Sequence, residues 1–213
     1  MAELIVTSGI AGEAVRQFLG AAPRSVVLAG GETPRTAYER LATLDYEWSE
    51  AEFYFGDERC VPPTDSASNY RMAWEALLSK VPAVVHPMAG ETCDAESYER
   101  LLKRKFGPGI PEFDLVCLGL GEDGHTASLF PGSPALNERT RLVVPVSRPD
   151  HARLTMTLPI LCAARTVIFL VSGRGKRGAL RQLLDGDDIP AAHVRARRVV
   201  IVADEDAAGH GAG

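Results

Sequence analysis

The sequence predicts an α/β fold: a single three-layer domain over residues 1–213, with a mostly parallel sheet and helices on both faces. Three observations predict it. Short apolar runs rich in β-branched and aromatic residues alternate along the chain with segments of helical periodicity. The runs are nearly continuously apolar, as strands covered on both faces are. No internal repeat and no Pro/Ser-rich linker divides the 213 residues into two regimes of composition.

The elements follow in order. The N-terminal stretch carries acidic Glu3 and lacks the basic n-region and unbroken apolar h-region of a signal peptide, so a cytoplasmic location is expected. Ser25–Ala29 is the first strand, and Pro34–Leu44 a helix with Pro34 in its first turn. Glu52–Phe55 is a strand, followed by a helix over Ser66–Leu78 with Ser66 or Asp65 as its cap. Asp94–Lys105 is helical, Phe113–Leu118 and Leu142–Val146 are strands, and Thr166–Val171 is a strand feeding the helix Gly175–Leu184. Arg198–Ala203 is the last strand, and residues 203–213 are expected to include a frayed, small-residue tail.

Composition bounds the function. With 46% hydrophobic and 24% charged residues and no apolar run near the ~20 residues of a membrane span, the chain reads as a globular domain that needs no membrane. Its mass buries about 71% of the unfolded surface, enough for a core without disulfide staples. A net charge of -5, from 23 Lys and Arg against 28 Asp and Glu, gives no global field for a nucleic acid, so any anionic ligand requires a local basic cluster. Cys60, Cys93, Cys117 and Cys162 form no C-x-x-C pair and no zinc-ligand spacing with histidine, and are expected to be reduced structural thiols. The histidines show no H-x-H or H-E-x-x-H spacing, so no metal is expected.

Ligands of such sheets bind at the carboxyl ends of the strands, and four strand-to-loop junctions carry polar chemistry. In Ala29-Gly30-Gly31-Glu32-Thr33-Pro34, two glycines precede a helix start. Gly30, Gly31 and Thr33 suit an anion cradle of free N–H groups, although a tight turn would also need the glycines. In Gly56-Asp57-Glu58-Arg59, three consecutive charges cannot all point inward, so at least one is solvated or paired. The Ser68-Asn69 pair downstream can reach the same crevice.

The third junction, Gly119-Leu120-Gly121-Glu122-Asp123-Gly124-His125-Thr126-Ala127-Ser128-Leu129-Phe130-Pro131-Gly132, satisfies G-x-G-x-x-G. It is no dinucleotide fingerprint, because Pro131, Gly132 and Pro134 break the chain where a helix should run. Asp123 two residues before His125 suits a general base whose imidazole a carboxylate orients. Fourth, Lys176 follows a Gly-x-Gly turn at a helix start, where its ammonium can neutralise a phosphate, with Arg153 as a second cation. Neither Ser128 nor Ser172 lies in a Gly-x-Ser-x-Gly elbow, which disfavours a covalent serine route.

With these residues assembled, the sequence resembles the 6-phosphogluconolactonase family, on the glucosamine-6-phosphate isomerase-like, modified Rossmann-like fold. The resemblance runs from about Val26 to Ala208. Its carriers are Gly30-Gly31-Glu32-Thr33-Pro34, Gly56-Asp57-Glu58-Arg59 with Val61-Pro62 and Ser68-Asn69, Gly119 to Gly132, Arg153-Leu154-Thr155, Gly173-Arg174-Gly175-Lys176, and Asp204 with Ala207-Ala208. It implies hydrolysis of 6-phospho-D-glucono-1,5-lactone to 6-phosphogluconate in the oxidative pentose phosphate pathway, without cofactor or metal, by a monomer or homodimer.

On this reading His125, Asp123 and Arg59 are the catalytic candidates. Gly30, Gly31, Thr33, Asp57, Asn69, Gly121, Gly124, Arg153 and Lys176 are the substrate and phosphate contacts. Arg59 serves either the reacting end or the phosphate. Glucosamine-6-phosphate deaminases share the fold, but where their loop carries a proton-transferring Glu this chain has Phe130. A deaminase, or a non-catalytic sugar-phosphate-binding domain, is the alternative. Many relatives have Ser at the position of Glu32, so its carboxylate is expected to face solvent rather than repel the phosphate.

Overall fold

The computed structural model describes residues 2–209, and its seven-stranded central sheet is parallel throughout. In chain order the elements begin β1 Glu3–Val6, α1 Ile10–Ala21, β2 Ser25–Leu28, α2 Glu32–Leu41, β3 Glu52–Phe55 and β4 Asp57–Arg59. Next come α3 Asn69–Ala73, which widens into a π-helical turn over Trp74–Leu78, then β5 Val84–Val85, α4 Ala95–Phe106 and β6 Leu115–Gly119. The remainder is β7 Val143–Val146, β8 Arg153–Met156, α5 Leu158–Cys162, β9 Thr166–Val171, α6 Arg177–Asp185, β10 Arg198–Ala203 and α7 Glu205–Ala208.

The sheet order is β1-β10-β9-β6-β2-β3-β5. Along β6, consecutive residues Leu115 to Leu118 are all buried; since neighbours on a strand point to opposite faces, both faces are covered. On one face α1 and α2 pack on each other and against β9. This is the α/β sheet that the alternating pattern predicts.

The order also locates the site. From β2 the chain moves outward to β3, whereas from β6 its next partner in this sheet is β9 on the opposite side. The reversal between β2 and β6 is a topological switch point, where loops leave in opposite directions and open a crevice. The four adjacent strands β9, β6, β2 and β3 carry the four junctions singled out above.

Several expectations are corrected. Leu142–Val146 does not join the main sheet: β7 lies in a separate antiparallel sheet of order β4-β8-β7. The cap before α3 is Ser68, whose Oγ accepts from Arg71 N at 3.1 Å, while Asp65 instead turns the preceding loop by accepting from Ala67 N. After Ala203 the chain forms α7, with Asp204 accepting from Ala207 N at 2.7 Å as its cap. Residues 210–213 of the expected frayed tail lie outside the described residues.

The thiols also depart from expectation. Cys60 and Cys93 form a disulfide with Cα atoms 5.1 Å apart, while Cys117 and Cys162 are free. The physical reason is close docking of the loop after β5: a Cβ at Gly90 would stand 2.5 Å from Arg59 O and 2.6 Å from Val61 O. Only glycine lets that backbone approach, and the approach sets Cys93 beside Cys60.

Candidate active site

The junctions converge on a cavity of about 340 Å³ at the carboxyl ends of the central strands. Gly30, Gly31, Thr33, Asp57, Arg59, Asn69, Gly121, His125, Arg153 and Lys176 all line it. Gly124 does not. It turns away with φ +81°, its carbonyl accepting from Ala191 N at 3.0 Å and its Cα packed against Ile189, so it shapes the loop rather than the cavity wall. No helix opens at Gly124; the loop is closed by a Thr126–Leu129 bridge, as the rejection of a dinucleotide fingerprint requires.

At the end of β2, Gly31 takes φ +106° and precedes α2 with no side chain capping the helix. Gly31 to Pro34, at the start of this helix, line the cavity, and the helix dipole adds partial positive charge there. Glu32 sits at the rim with its side chain 77% exposed and paired to Arg35 at 3.6 Å. Across the cavity, after β9, Ser172 Oγ and Gly173 N donate to Asp204, fixing the turn that presents Lys176. Burial acts to raise the Asp204 carboxyl, but those bonds and the one from Ala207 N hold it below the usual range.

The three charges of β4 separate by strand alternation. Asp57 and Arg59 face the cavity, and Glu58 points the other way, 1% exposed. Its carboxylate accepts from the backbone N–H groups of Arg59, Asn69 and Tyr70 and from Ser68 Oγ, at 2.7–3.1 Å. Glu58 therefore fastens the start of α3 to β4 and places Asn69. Burial raises its carboxyl above the ordinary value, although the three backbone donors pull the other way.

Asn69 Nδ2 then donates to Asp57 O at 2.9 Å and Oδ1 at 3.2 Å, and Ser128 Oγ donates to Asp57 Oδ2 at 2.7 Å. Ser128 N donates in turn to Thr155 on β8. The Asp57 carboxylate is thus locked between α3 and the His125 loop.

Antiparallel pairing sets Arg59 opposite Arg153, so two guanidiniums share one face of the small sheet. Like charges directly opposite repel, which an anion between them relieves. Arg59 Nη1 donates to Ala67 O, Arg153 Nη2 to Asp150, and the Nε atoms of both arginines are buried without a partner.

His125 Nδ1 lies 2.5 Å from Asp123 Oδ1, and that oxygen also accepts from His125 N at 3.1 Å. Burial works to raise the Asp123 carboxyl, but its bonds to His125 outweigh it and hold the group below the usual carboxylate range. An ionised carboxylate only accepts, so Nδ1 carries the proton and Nε2 is left free to take one. Ser128, Ser172, Leu120 and Ala127 were not anticipated at the site. Ser128 had a signal, its place in the His125 loop, but its partner Asp57 lies 71 residues away.

Known proteins share this chain's sequence and fold. A family model described as glucosamine-6-phosphate isomerases/6-phosphogluconolactonase matches residues 7–202. The 6-phosphogluconolactonase of Synechocystis sp. is 42% identical over 169 residues, covering 75% of this chain and 70% of that protein. The Mycobacterium tuberculosis 6-phosphogluconolactonase is 38% identical over 205 residues, covering 86% and 83%. A solved 6-phosphogluconolactonase from Trypanosoma brucei has a TM-score of 0.87 at 29% identity, covering 100% of this chain and 99% of that one. With a family match over residues 7–202 and relatives 38% and 42% identical over most of its length, the chain belongs to the 6-phosphogluconolactonase family.

Proposed function

We propose that the cavity hydrolyses 6-phospho-D-glucono-1,5-lactone to 6-phosphogluconate, with His125 as general base. The observation that carries it is the Asp123–His125 pair on a cavity that also holds Arg59, Arg153, Lys176 and the open start of α2. A lactone is an activated ester, so it needs one base, a counter-charge for the developing oxyanion and a grip on the remote phosphate. His125 Nε2 takes a proton from water as the water oxygen bonds to C1, and Asp123 stabilises the imidazolium. The C1–ring oxygen bond then breaks, and the same proton passes to the departing oxygen.

Arg153, which lines the cavity with its guanidinium carbon 5.4 Å from the centre of the Phe130 ring beside His125, serves the oxyanion. Lys176, Thr33 and the Gly31–Thr33 N–H groups hold the phosphate, with Arg59 bridging the two ends. Asp57, fixed by Asn69 and Ser128, orients sugar hydroxyls. The deaminase alternative is not favoured, since a phenyl ring at position 130 cannot transfer the proton for ring opening.

The test generates the lactone in situ from glucose 6-phosphate with its dehydrogenase and follows 6-phosphogluconate with a second dehydrogenase. Acceleration over spontaneous hydrolysis is expected; none, or ammonia release from glucosamine 6-phosphate, contradicts the reading.

A further inference from the structure

Phe130 is more than the absence of a carboxylate. Its ring is 5% exposed, and its centre lies 4.4 Å from that of the His125 imidazole with the planes 35° apart. On the same ring, the guanidinium carbon of Arg148 stands 4.1 Å from the centre and that of Arg153 5.4 Å. Arg153 is also tied to Asp150 at 2.5 Å, whereas Arg148 is an exposed residue on the loop between β7 and β8.

His125 needs such support. Its loop has no regular secondary structure, its side chain is 30% exposed, and the Asp123 bond fixes one ring nitrogen only. A ring held at one nitrogen still pivots about that bond and carries Nε2 off its target. A flat wall against the imidazole removes the pivot, and a displacement near 1 Å at a reacting group lowers turnover by about 10²-fold. The wall must itself stay seated: a cation over the π face holds a phenyl ring through its quadrupole, which an aliphatic side chain cannot offer.

We infer that Phe130 and Arg148 are positioning residues for the lactonase reaction: Phe130 sets the plane of His125, and Arg148 clamps Phe130 in place from the β7–β8 loop. The inference rests on the lactonase reading above. It assigns catalytic consequence to a surface arginine that does not line the cavity.

Purified wild type, Phe130→Leu, Arg148→Gln, Arg148→Lys and the double variant Phe130→Leu/Arg148→Gln are compared in the coupled lactonase assay, with thermal unfolding as the folding control. Phe130→Leu should lower kcat by about 10- to 100-fold with KM within about 3-fold. Arg148→Gln should lower kcat about 2- to 5-fold with KM unchanged, and Arg148→Lys should recover most of that loss, because an ammonium also seats on the ring. In the Phe130→Leu background, Arg148→Gln should have no further effect.

The inference is overturned by a wild-type kcat in both single variants, by a loss confined to KM, or by an Arg148→Gln effect that persists without the phenyl ring. Should Phe130→Leu not fold, the exposed Arg148 pair decides: equal kcat in Gln and Lys variants overturns the clamp. A wild-type protein without lactonase activity removes the functional reading and the inference together, while an active wild type with insensitive variants removes the inference alone.

Discussion

Gly121→Ala probes the site with a single methyl group. Gly121 N donates to His125 O at 2.8 Å, so the two residues are held back to back across the loop. A Cβ at position 121 would occupy the space of His125 Nδ1 and Cε1 and stand 2.7 Å from Asp123 Oδ1. The methyl and the Asp123–His125 hydrogen bond cannot coexist. Since the His125 side chain is 30% exposed, the imidazole can swing outward instead of straining the core, and the stability cost should stay near 1 kcal/mol.

The catalytic cost is larger. Losing an oriented general base removes about 10²–10⁴-fold in turnover, or roughly 3–5 kcal/mol of transition-state stabilisation. Steady-state lactonase kinetics with urea unfolding on the same preparations separate the two effects. Wild-type turnover in Gly121→Ala would refute the placement of His125. A destabilisation beyond about 3 kcal/mol would refute the argument that the ring yields into solvent.

Three further outcomes follow from the packing. Gly124→Ala should lower stability by about 2–4 kcal/mol, since its φ of +81° disfavours a side chain and a Cβ would lie 2.7 Å from Ile189 Cβ; an unchanged urea midpoint contradicts this. Thiol titration of the denatured, unreduced protein should find two reactive cysteines, Cys117 and Cys162, and reduction of the Cys60–Cys93 bridge should cost about 2–4 kcal/mol; four reactive thiols before reduction contradict it. For Glu52, burial acts to raise the carboxyl, but bonds to Lys105, Tyr54 and His86 bring it to about 2. A depressed carboxyl stabilises the fold fully above its unfolded value and loses that contribution as pH falls from about 4.5 to 2. The side chain is 34% exposed, so screening leaves about 1–2 kcal/mol, and Glu52→Gln should flatten acid destabilisation over that window; an unchanged pH profile of the urea midpoint contradicts it.

What could be read from the sequence divides by the range of the forces involved. β2, β3, β6, β9 and β10 were legible because each is a near-continuous apolar run, the signature of a strand buried on both faces. β1 was not, being a four-residue edge strand that is largely exposed, nor was α1, which follows Gly9 with no side-chain cap and includes Gly12 and Gly20. The charged Asp57–Arg59 segment is a strand only because β8 pairs with it, a partner almost a hundred residues away. Most of the residues that line the cavity were legible because they lie at strand ends, which topology brings together. Gly124 illustrates the limit: a glycine in a functional loop looks the same in sequence whether it admits a ligand or, as here, Ile189. The Cys60–Cys93 bridge and the Asp57–Ser128 bond depend on loop docking that no local pattern encodes.

His125, oriented by Asp123, is the residue proposed to activate water for lactone hydrolysis. Its most direct test is turnover of His125→Ala in the coupled assay, corrected for spontaneous hydrolysis, with thermal unfolding to verify the fold. A fall of about 10²–10⁴-fold in kcat is expected, with the unfolding transition retained. A folded His125→Ala protein that turns over the lactone at nearly the wild-type rate would contradict it.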